Sequence, residues 1–141
     1  MPTGADLGVA TSELRIVLGG LVRRLRVENT LPLPHATVLS RLEREGPQTT
    51  SALAAAERVR PQSMAQTLHD LGADGLVGRR PDPLDRRQVL VELTDRGCAA
   101  LHRDRQQRDG WLSRTIAERL SPDEQEILVR AVPLLQRLTD A

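Results

Sequence analysis

The sequence contains almost no aromatic residues and no lysine. Phenylalanine and tyrosine are absent, the only tryptophan is Trp111, and all 20 basic side chains are arginines. A core without aromatic rings must be built from leucine, valine, isoleucine and alanine, which favours helices packed on helices. Because the net charge is only +1, contact with nucleic acid would have to depend on the local placement of arginine.

Cysteine and long apolar runs are also scarce. The single cysteine, Cys98, excludes an intramolecular disulfide, fits a reducing cytosol, and is predicted to pack as a small hydrophobic residue. No apolar run approaches the ~20 residues that span a bilayer, and the first residues do not resemble a signal peptide. The sequence therefore predicts a cytoplasmic protein that does not contact a membrane.

The sequence shows none of the usual motifs of enzymes or metal sites. It has no glycine-rich phosphate loop and no recognisable pair of nucleophile and base, so an enzymatic function is not predicted. The three histidines, His35, His69 and His102, fall in separate predicted helices without metal-ligand spacing. We therefore predict no metal site and no cofactor.

Apolar residues recur at three- and four-residue steps along most of the chain, which predicts a mainly α fold with one small β-hairpin. The predicted helices cover residues 7–28, 34–45, 50–57, 61–73, 95–119 and 122–138, and the hairpin precedes the fifth helix. The polar stretch 102–109 is predicted to cross solvent between two packed ends. The terminal helices are amphipathic without an obvious partner, which predicts a symmetric homodimer. The predicted organisation is one chain, 1–141, with a winged helix–turn–helix DNA-binding region at 34–93 and dimerisation helices at 7–28 and 95–139.

The hairpin segment 77–97, VGRRPDPLDRRQVLVELTDRG, carries arginines around a proline and aspartate turn. Alternation of Val89, Val91 and Leu93 predicts that one face of its second strand is buried. Arginine is the side chain that gains most from the negative potential of a narrow minor groove. The predicted wing residues are Arg79, Arg80, Asp85, Arg86 and Arg87, with the Asp85 carboxylate positioning the Arg87 guanidinium. The alternative is a solvated turn with a weak surface ion pair.

Residues 50–73 precede the hairpin and have the pattern of a helix–turn–helix. The second helix of this motif lies in the major groove, where glutamine can bind adenine and serine or threonine can contact bases or phosphates. The predicted recognition residues are Gln62, Ser63, Gln66 and Thr67, and Arg58 and Arg60 before the helix are placed for phosphate contacts. The alternative is that all of these are ordinary solvated residues.

Residues 71–97, LGADGLVGRRPDPLDRRQVLVELTDRG, resemble the MarR family of bacterial transcriptional regulators. The shared features are the end of the recognition helix, the GLV segment, the Asp-x-Arg of the wing and the LT-x-x-G that opens the next helix. The resemblance implies a homodimeric repressor on an inverted-repeat operator in double-stranded DNA, with Arg87 in the minor groove and Asp85 orienting it.

The resemblance also implies release from DNA by a small lipophilic or phenolic effector bound between the dimerisation and DNA-binding regions. A candidate pocket would then be lined near Leu14, Leu18, His35, Leu39 and Trp111. Two alternatives stay open: a regulator without an effector, and a winged-helix module that binds protein instead of an operator. The arginine-rich wing favours DNA, because a protein-binding hairpin is expected to carry apolar anchors.

Overall fold

The computed structural model describes residues 1–141 and confirms a mainly helical chain with a small sheet. The elements in chain order are α1 (Gly4–Val27), α2 (Leu33–Glu45), β1 (Gln48–Thr49), α3 (Thr50–Glu57), α4 (Pro61–Ala73), β2 (Val77–Pro81), β3 (Val89–Leu93), α5 (Asp95–Arg119) and α6 (Pro122–Thr139). None of these helices combines the length and the apolar content that crossing a membrane requires.

Capping boxes define where the two terminal helices begin. In α1 the Thr3 hydroxyl accepts the Asp6 amide N–H while the Asp6 carboxylate accepts the Thr3 N–H, so the helix begins at Gly4, three residues before the predicted start. Ser121 and Glu124 form the same reciprocal pair at α6. These hydrogen bonds favour the ionised carboxylates and lower the pKa of both Asp6 and Glu124.

The sheet has three antiparallel strands in the order β1-β3-β2, one strand more than the predicted hairpin. β1 is only two residues long, too short for a periodicity argument, and pairs Gln48 with Val91 of β3. The alternation predicted for β3 holds in part. Val91 is buried, but Val89 is exposed because it pairs with Pro81 at the far end of the hairpin, beyond the edge of the core.

The core is entirely aliphatic apart from one methionine, as the lack of aromatic residues predicts. Twelve buried residues from α2, α3, α4, the hairpin and α5 form one cluster: Val38, Leu39, Leu42, Leu53, Ala54, Met64, Leu68, Leu71, Leu76, Val77, Val91 and Leu101. The inward faces predicted for α2 and α4 are thus confirmed.

Arg41 supports the same packing at the surface. Its guanidinium binds Glu57 of α3 and Glu45 of its own helix, and these contacts raise the pKa of Arg41.

The polar middle of α5 does not cross solvent, and the prediction for residues 102–109 was wrong. Asp104 is 0% exposed. Its Oδ1 accepts hydrogen bonds from the Thr30 amide at 2.6 Å and the Leu31 amide at 3.1 Å, and Arg108 lies 3.4 Å from its other oxygen. The helix is polar here because one carboxylate satisfies the backbone of the α1–α2 connection, a requirement that hydrophobic periodicity does not register.

We expect Asp104→Ala to lower the free energy of unfolding by about 1.5–3 kcal/mol, the range for hydrogen bonds to a charged group. The change leaves the Thr30 and Leu31 amides and the Arg108 guanidinium without their acceptor. Urea denaturation followed by circular dichroism measures the loss. Asp109→Ala, an exposed position on the same helix, should change stability by less than about 0.5 kcal/mol. Equal effects of the two substitutions would contradict the role of Asp104.

Candidate nucleic-acid interface

Helix α4 presents a polar face to solvent because its apolar residues point into the core. Met64, Leu68 and Leu71 are buried on one face of the helix. Gln62 and Gln66 are exposed on another face. Ser63 and Thr67 lie toward the side, where they line a groove of about 370 Å³ between α4 and α2. The four predicted recognition residues therefore divide into two outward-facing amides and two hydroxyls beside the groove.

The two glutamines of α4 differ in their present partners. The Gln66 side-chain amide donates to Asp70 Oδ1 at 3.0 Å, whereas Gln62 makes no side-chain hydrogen bond. Two-pronged binding of adenine uses both the donor and the acceptor of a glutamine amide. The donor and the acceptor of the Gln62 amide are both free. Gln66 must first break its hydrogen bond to Asp70 before it can bind a base.

The start of α4 is suited to a phosphate. Pro61 occupies the first helical position, and no side chain caps the helix at Arg60. The first amide N–H groups and the positive end of the helix dipole therefore face outward without a protein partner. Arg58, in a left-handed conformation with φ 55°, turns the chain sharply between α3 and α4. Neither Arg58 nor Arg60 forms an ion pair within the chain, so both are free to bind anions.

The turn between β2 and β3 is held by its two aspartates. Asp82 Oδ1 accepts the Leu84 amide at 2.9 Å, and Asp85 Oδ1 accepts the Arg87 amide at 3.1 Å. Asp85 Oδ1 also accepts from Arg87 Nε at 3.2 Å. One carboxylate thus fixes both the backbone and the guanidinium of Arg87, which limits the orientations of a side chain that is 91% exposed.

The four arginines of the hairpin have different environments. Arg80 Nε donates to Glu92 Oε2 on the neighbouring strand at 2.9 Å, so its charge is already compensated. Arg79 and Arg86 are exposed and form no ion pair within the chain. The uncompensated positive charge of the wing therefore comes from Arg79 and Arg86, with Arg87 held by Asp85 at the tip.

The wing tip also carries Leu84, which sequence reasoning did not single out. Its side chain is 96% exposed, and the Asp82 hydrogen bond to its amide fixes its position. Leu84 lies inside a Pro/Asp turn, where there is no periodic hydrophobic pattern, so the sequence did not indicate that this side chain would be exposed. Leucine is among the side chains that minor-groove proteins insert between base steps.

The wing is joined to α5 by contacts between backbones. The Thr94 amide donates to the Leu76 carbonyl at 3.2 Å, and the Thr94 hydroxyl donates to the Gly75 carbonyl while accepting the Gly97 N–H. Gly97 packs so closely on Leu76 that a Cβ would overlap the carbonyl oxygen. The LT-x-x-G segment therefore forms a rigid joint between the base of the wing and α5.

The residues of the predicted effector pocket do not surround one cavity. Leu14 and Leu18 are exposed on α1, and Leu39 is fully buried in the core. His35 lies 4.0 Å from Asp70, and the Trp111 ring is covered by Arg24 at 4.2 Å from its centroid. The cavity that does lie between α1, α2 and α5 has a volume of about 350 Å³ and is lined by Val22, Leu25, Arg26, Asn29, Leu33, Arg108, Asp109 and Leu112.

Comparison with known proteins assigns the fold to a family. The family model described as MarR family matches residues 31–89. A Mycobacterium bovis protein described as an uncharacterized HTH-type transcriptional regulator is 37% identical over 132 residues, which cover 92% of each chain. The chain belongs to the MarR family. It is accordingly a helix–turn–helix transcriptional regulator, and DNA binding is the activity that its family implies.

Solved structures of MarR-type winged helices share the same fold. A transcriptional regulator from Pseudomonas aeruginosa superposes with a TM-score of 0.82 at 36% identity, covering 99% of both chains. A variant of MepR from S. aureus, bound to an oligodeoxyribonucleotide, gives a TM-score of 0.70 at 18% identity over 92% of this chain and 97% of that one. At 18% identity, the similarity to MepR is evidence for the shared fold only.

The MarR-family fold also gathers a cluster that the sequence did not reveal. Glu43 of α2 lies beside Cys98 and His102 of α5, with their ligand-type atoms within 4.8 Å of one another. Cys98 is half-buried beside these polar groups and so is less enclosed than a core residue. The signal was hidden because 55 residues separate Glu43 from Cys98 along the chain.

We expect Gly97→Ala to destabilise this MarR-family protein by about 1–3 kcal/mol, because the added methyl group overpacks the joint between wing and α5. Thermal unfolding measures the change. Gly72→Ala is the matched control, since its added Cβ meets nothing within 4 Å and alanine is favoured over glycine in a helix by up to about 1 kcal/mol. A Gly97→Ala protein as stable as the control would show that the joint can widen.

Proposed function

We propose that this MarR-family regulator is a homodimeric repressor that binds an inverted-repeat operator in double-stranded DNA. In each protomer α4 lies in the major groove, and the wing enters the adjacent minor groove. Arg58 and Arg60 contact phosphates at the start of α4. The observation that carries the proposal is the Arg87 guanidinium, which is almost fully exposed at the wing tip yet oriented by Asp85.

The electrostatics favour DNA as the partner of this surface. A carboxylate that faced phosphates would be repelled, but Asp85 uses its Oδ1 atom on the backbone and side chain of Arg87. Its charge therefore positions the arginine and leaves the outer face of the guanidinium available to the groove. The DNA-bound MepR structure supports this arrangement, because the fold that it shares with this chain is compatible with duplex binding.

The terminal helices support the homodimer. Neither α1 nor α6 contains a buried residue, although nine large apolar side chains of α1 and five of α6 are exposed. So many exposed apolar side chains on two helices are unfavourable in water and favour an interaction site. A second copy of the same helices covers both surfaces at once, and its two-fold symmetry matches an inverted repeat.

We expect Arg87→Ala to weaken binding to an inverted-repeat duplex about 10- to 100-fold, since one good groove contact contributes about 1–3 kcal/mol. The assay titrates duplex from upstream of the protein's own gene in a salt series, with shuffled duplex as reference, and sedimentation gives the stoichiometry of the complex. Two chains per duplex and a steep salt dependence are expected for the unaltered protein.

Arg103→Ala provides the matched control, because it removes one exposed arginine of α5 that forms no ion pair within the chain. If Arg87→Ala and Arg103→Ala bound equally well, Arg87 would not lie in the interface. If the unaltered protein preferred the operator no more than shuffled DNA, this duplex would not contain its operator. One chain per duplex would overturn the dimer.

We further propose that the effector is a small aromatic acid bound in the cavity between α1, α2 and α5. Arg26, which forms no ion pair within the chain, offers positive charge to a carboxylate, and the apolar side chains of the lining accommodate a ring. Asn29 lines the cavity and its buried Oδ1 atom has no hydrogen-bond donor, so rotation of the side chain toward the cavity would let it accept a phenolic hydroxyl. The cavity volume of about 350 Å³ is within the range of small-molecule sites.

We expect 4-hydroxybenzoate to lower operator affinity 5- to 150-fold at saturation, which corresponds to the usual coupling of about 1–3 kcal/mol. Arg26→Gln should abolish this response while leaving DNA binding without the ligand unchanged. The uncharged 4-hydroxybenzyl alcohol controls for the carboxylate. A response to both compounds, or one that persists in Arg26→Gln, would contradict an anion-binding cavity.

A further inference from the structure

Glu43, Cys98 and His102 form a compact group of three different ligand types on the surface between α2 and α5. Cys98 and His102 are four residues apart on α5 and therefore lie on the same face of the helix. Glu43 reaches this face from α2, which packs along α5. Nε2 of His102 lies 3.9 Å from Oε2 of Glu43, and the ligand-type atoms of all three residues are within 4.8 Å of one another.

The ligand types match Zn²⁺ in kind and in number. Thiolate, imidazole and carboxylate all bind this ion at about 2.0–2.3 Å, so neighbouring ligand atoms in a tetrahedral site are about 3.3–3.8 Å apart. The separation of 3.9 Å between His102 Nε2 and Glu43 Oε2 is close to these values, and the Cys98 Sγ atom lies within 4.8 Å of both, so side-chain rotations would complete the site. Three protein ligands leave the fourth position to water.

The surroundings of Glu43 leave one of its oxygens available for a metal ion. Arg105 Nη1 donates to Glu43 Oε1 at 2.7 Å, and Nη2 of the same guanidinium donates to Ser40 Oγ at 3.3 Å. Oε2 remains directed toward His102. A metal-binding carboxylate is commonly oriented by a second hydrogen bond of this kind. Arg105 also offsets part of the negative charge that a thiolate and a carboxylate bring together.

The cluster is accessible from solvent. The His102 side chain is 59% exposed, and Cys98 is half-buried beside it. An ion can therefore enter without opening the core, and Cys98 binds it as a thiolate, with its proton released to solvent. The site joins α2, which belongs to the core of the winged region, to the helix that leads out of it.

We propose that Glu43, Cys98 and His102 bind one Zn²⁺ ion per chain and thereby link α2 to α5. The inference does not depend on the operator, the effector or the dimer, because all three ligands belong to one protomer.

The test is a metal titration of the full-length chain, first with Co²⁺ as a spectroscopic probe and then with Zn²⁺ against a chromophoric chelator. One equivalent of Co²⁺ per chain is expected, with a sulfur-to-metal charge-transfer band and the intense visible absorption of tetrahedral Co²⁺. Zn²⁺ should displace the cobalt and raise the melting temperature of the protein, because a ligand that binds only the folded state stabilises it.

Cys98→Ser should remove the charge-transfer band, and His102→Ala should weaken Zn²⁺ binding at least tenfold. The matched controls are His69→Ala, which removes an exposed histidine of α4, and Glu45→Gln, which alters a glutamate two residues from Glu43; both should bind Zn²⁺ as the unaltered protein does. His102 is mostly exposed, so its variant should fold even if the cysteine variant does not.

Three results would overturn the proposal: Co²⁺ bound without a charge-transfer band, Zn²⁺ affinity unchanged by His102→Ala, or less than one equivalent bound at micromolar metal. A loss of affinity in His69→Ala as large as that in His102→Ala would place the ion elsewhere. Melting curves of the metal-free variants separate a lost ligand from a damaged fold.

Discussion

The contact between Gly97 and the Leu76 carbonyl determines how the three parts of this protein are arranged. The aliphatic core with α4, the wing and the long helix α5 all meet at this contact. Thr94 closes the contact with hydrogen bonds to Gly75, Leu76 and Gly97. Because a backbone contact has no rotamers to adjust, the direction of α5 and the position of the wing are fixed relative to each other.

A second fixed point lies halfway along α5. The buried Asp104 carboxylate holds the backbone at Thr30 and Leu31, and so ties the end of α1 to the middle of α5. Beyond this point α1 and α6 extend with their apolar faces uncovered. The chain thus consists of a winged region with its own aliphatic core and two helices whose apolar faces the chain itself does not cover. This division is the physical basis for the proposed dimer.

Charge in this protein acts through placement rather than through its total. The net charge is +1, yet most charged groups near the core are neutralised in pairs, such as Arg41 with Glu57 and Arg105 with Glu43. Four arginines without an ion pair lie before α4 and on the wing: Arg58, Arg60, Arg79 and Arg86. The proposed effector cavity and the proposed zinc site both lie along α5, where this helix contacts α2. A ligand bound at either site would contact both helices.

How much could be predicted from the sequence varies with the range of the interaction. The number of helices, the buried faces of α2 and α4 and the wing turn depend on residues within a few positions, so periodicity and turn patterns located them; only the start of α1 lies three residues earlier than predicted. The third strand, the burial of Asp104 and the outward position of Val89 depend on partners from distant segments. The cavity lining differed from the predicted pocket for the same reason, since Leu39 could not be assigned to core or cavity without its neighbours.

The sequence by itself determined the helical class, the aliphatic composition of the core and the arginine-rich wing, because each follows from local composition and short-range geometry. Only the tertiary structure decided which polar groups meet. Packing of α2 against α5 brought Glu43 beside Cys98 and His102, and folding of the α1–α2 connection onto α5 gave Asp104 its partners. Such encounters depend on the angles between packed helices, which no spacing along the chain encodes.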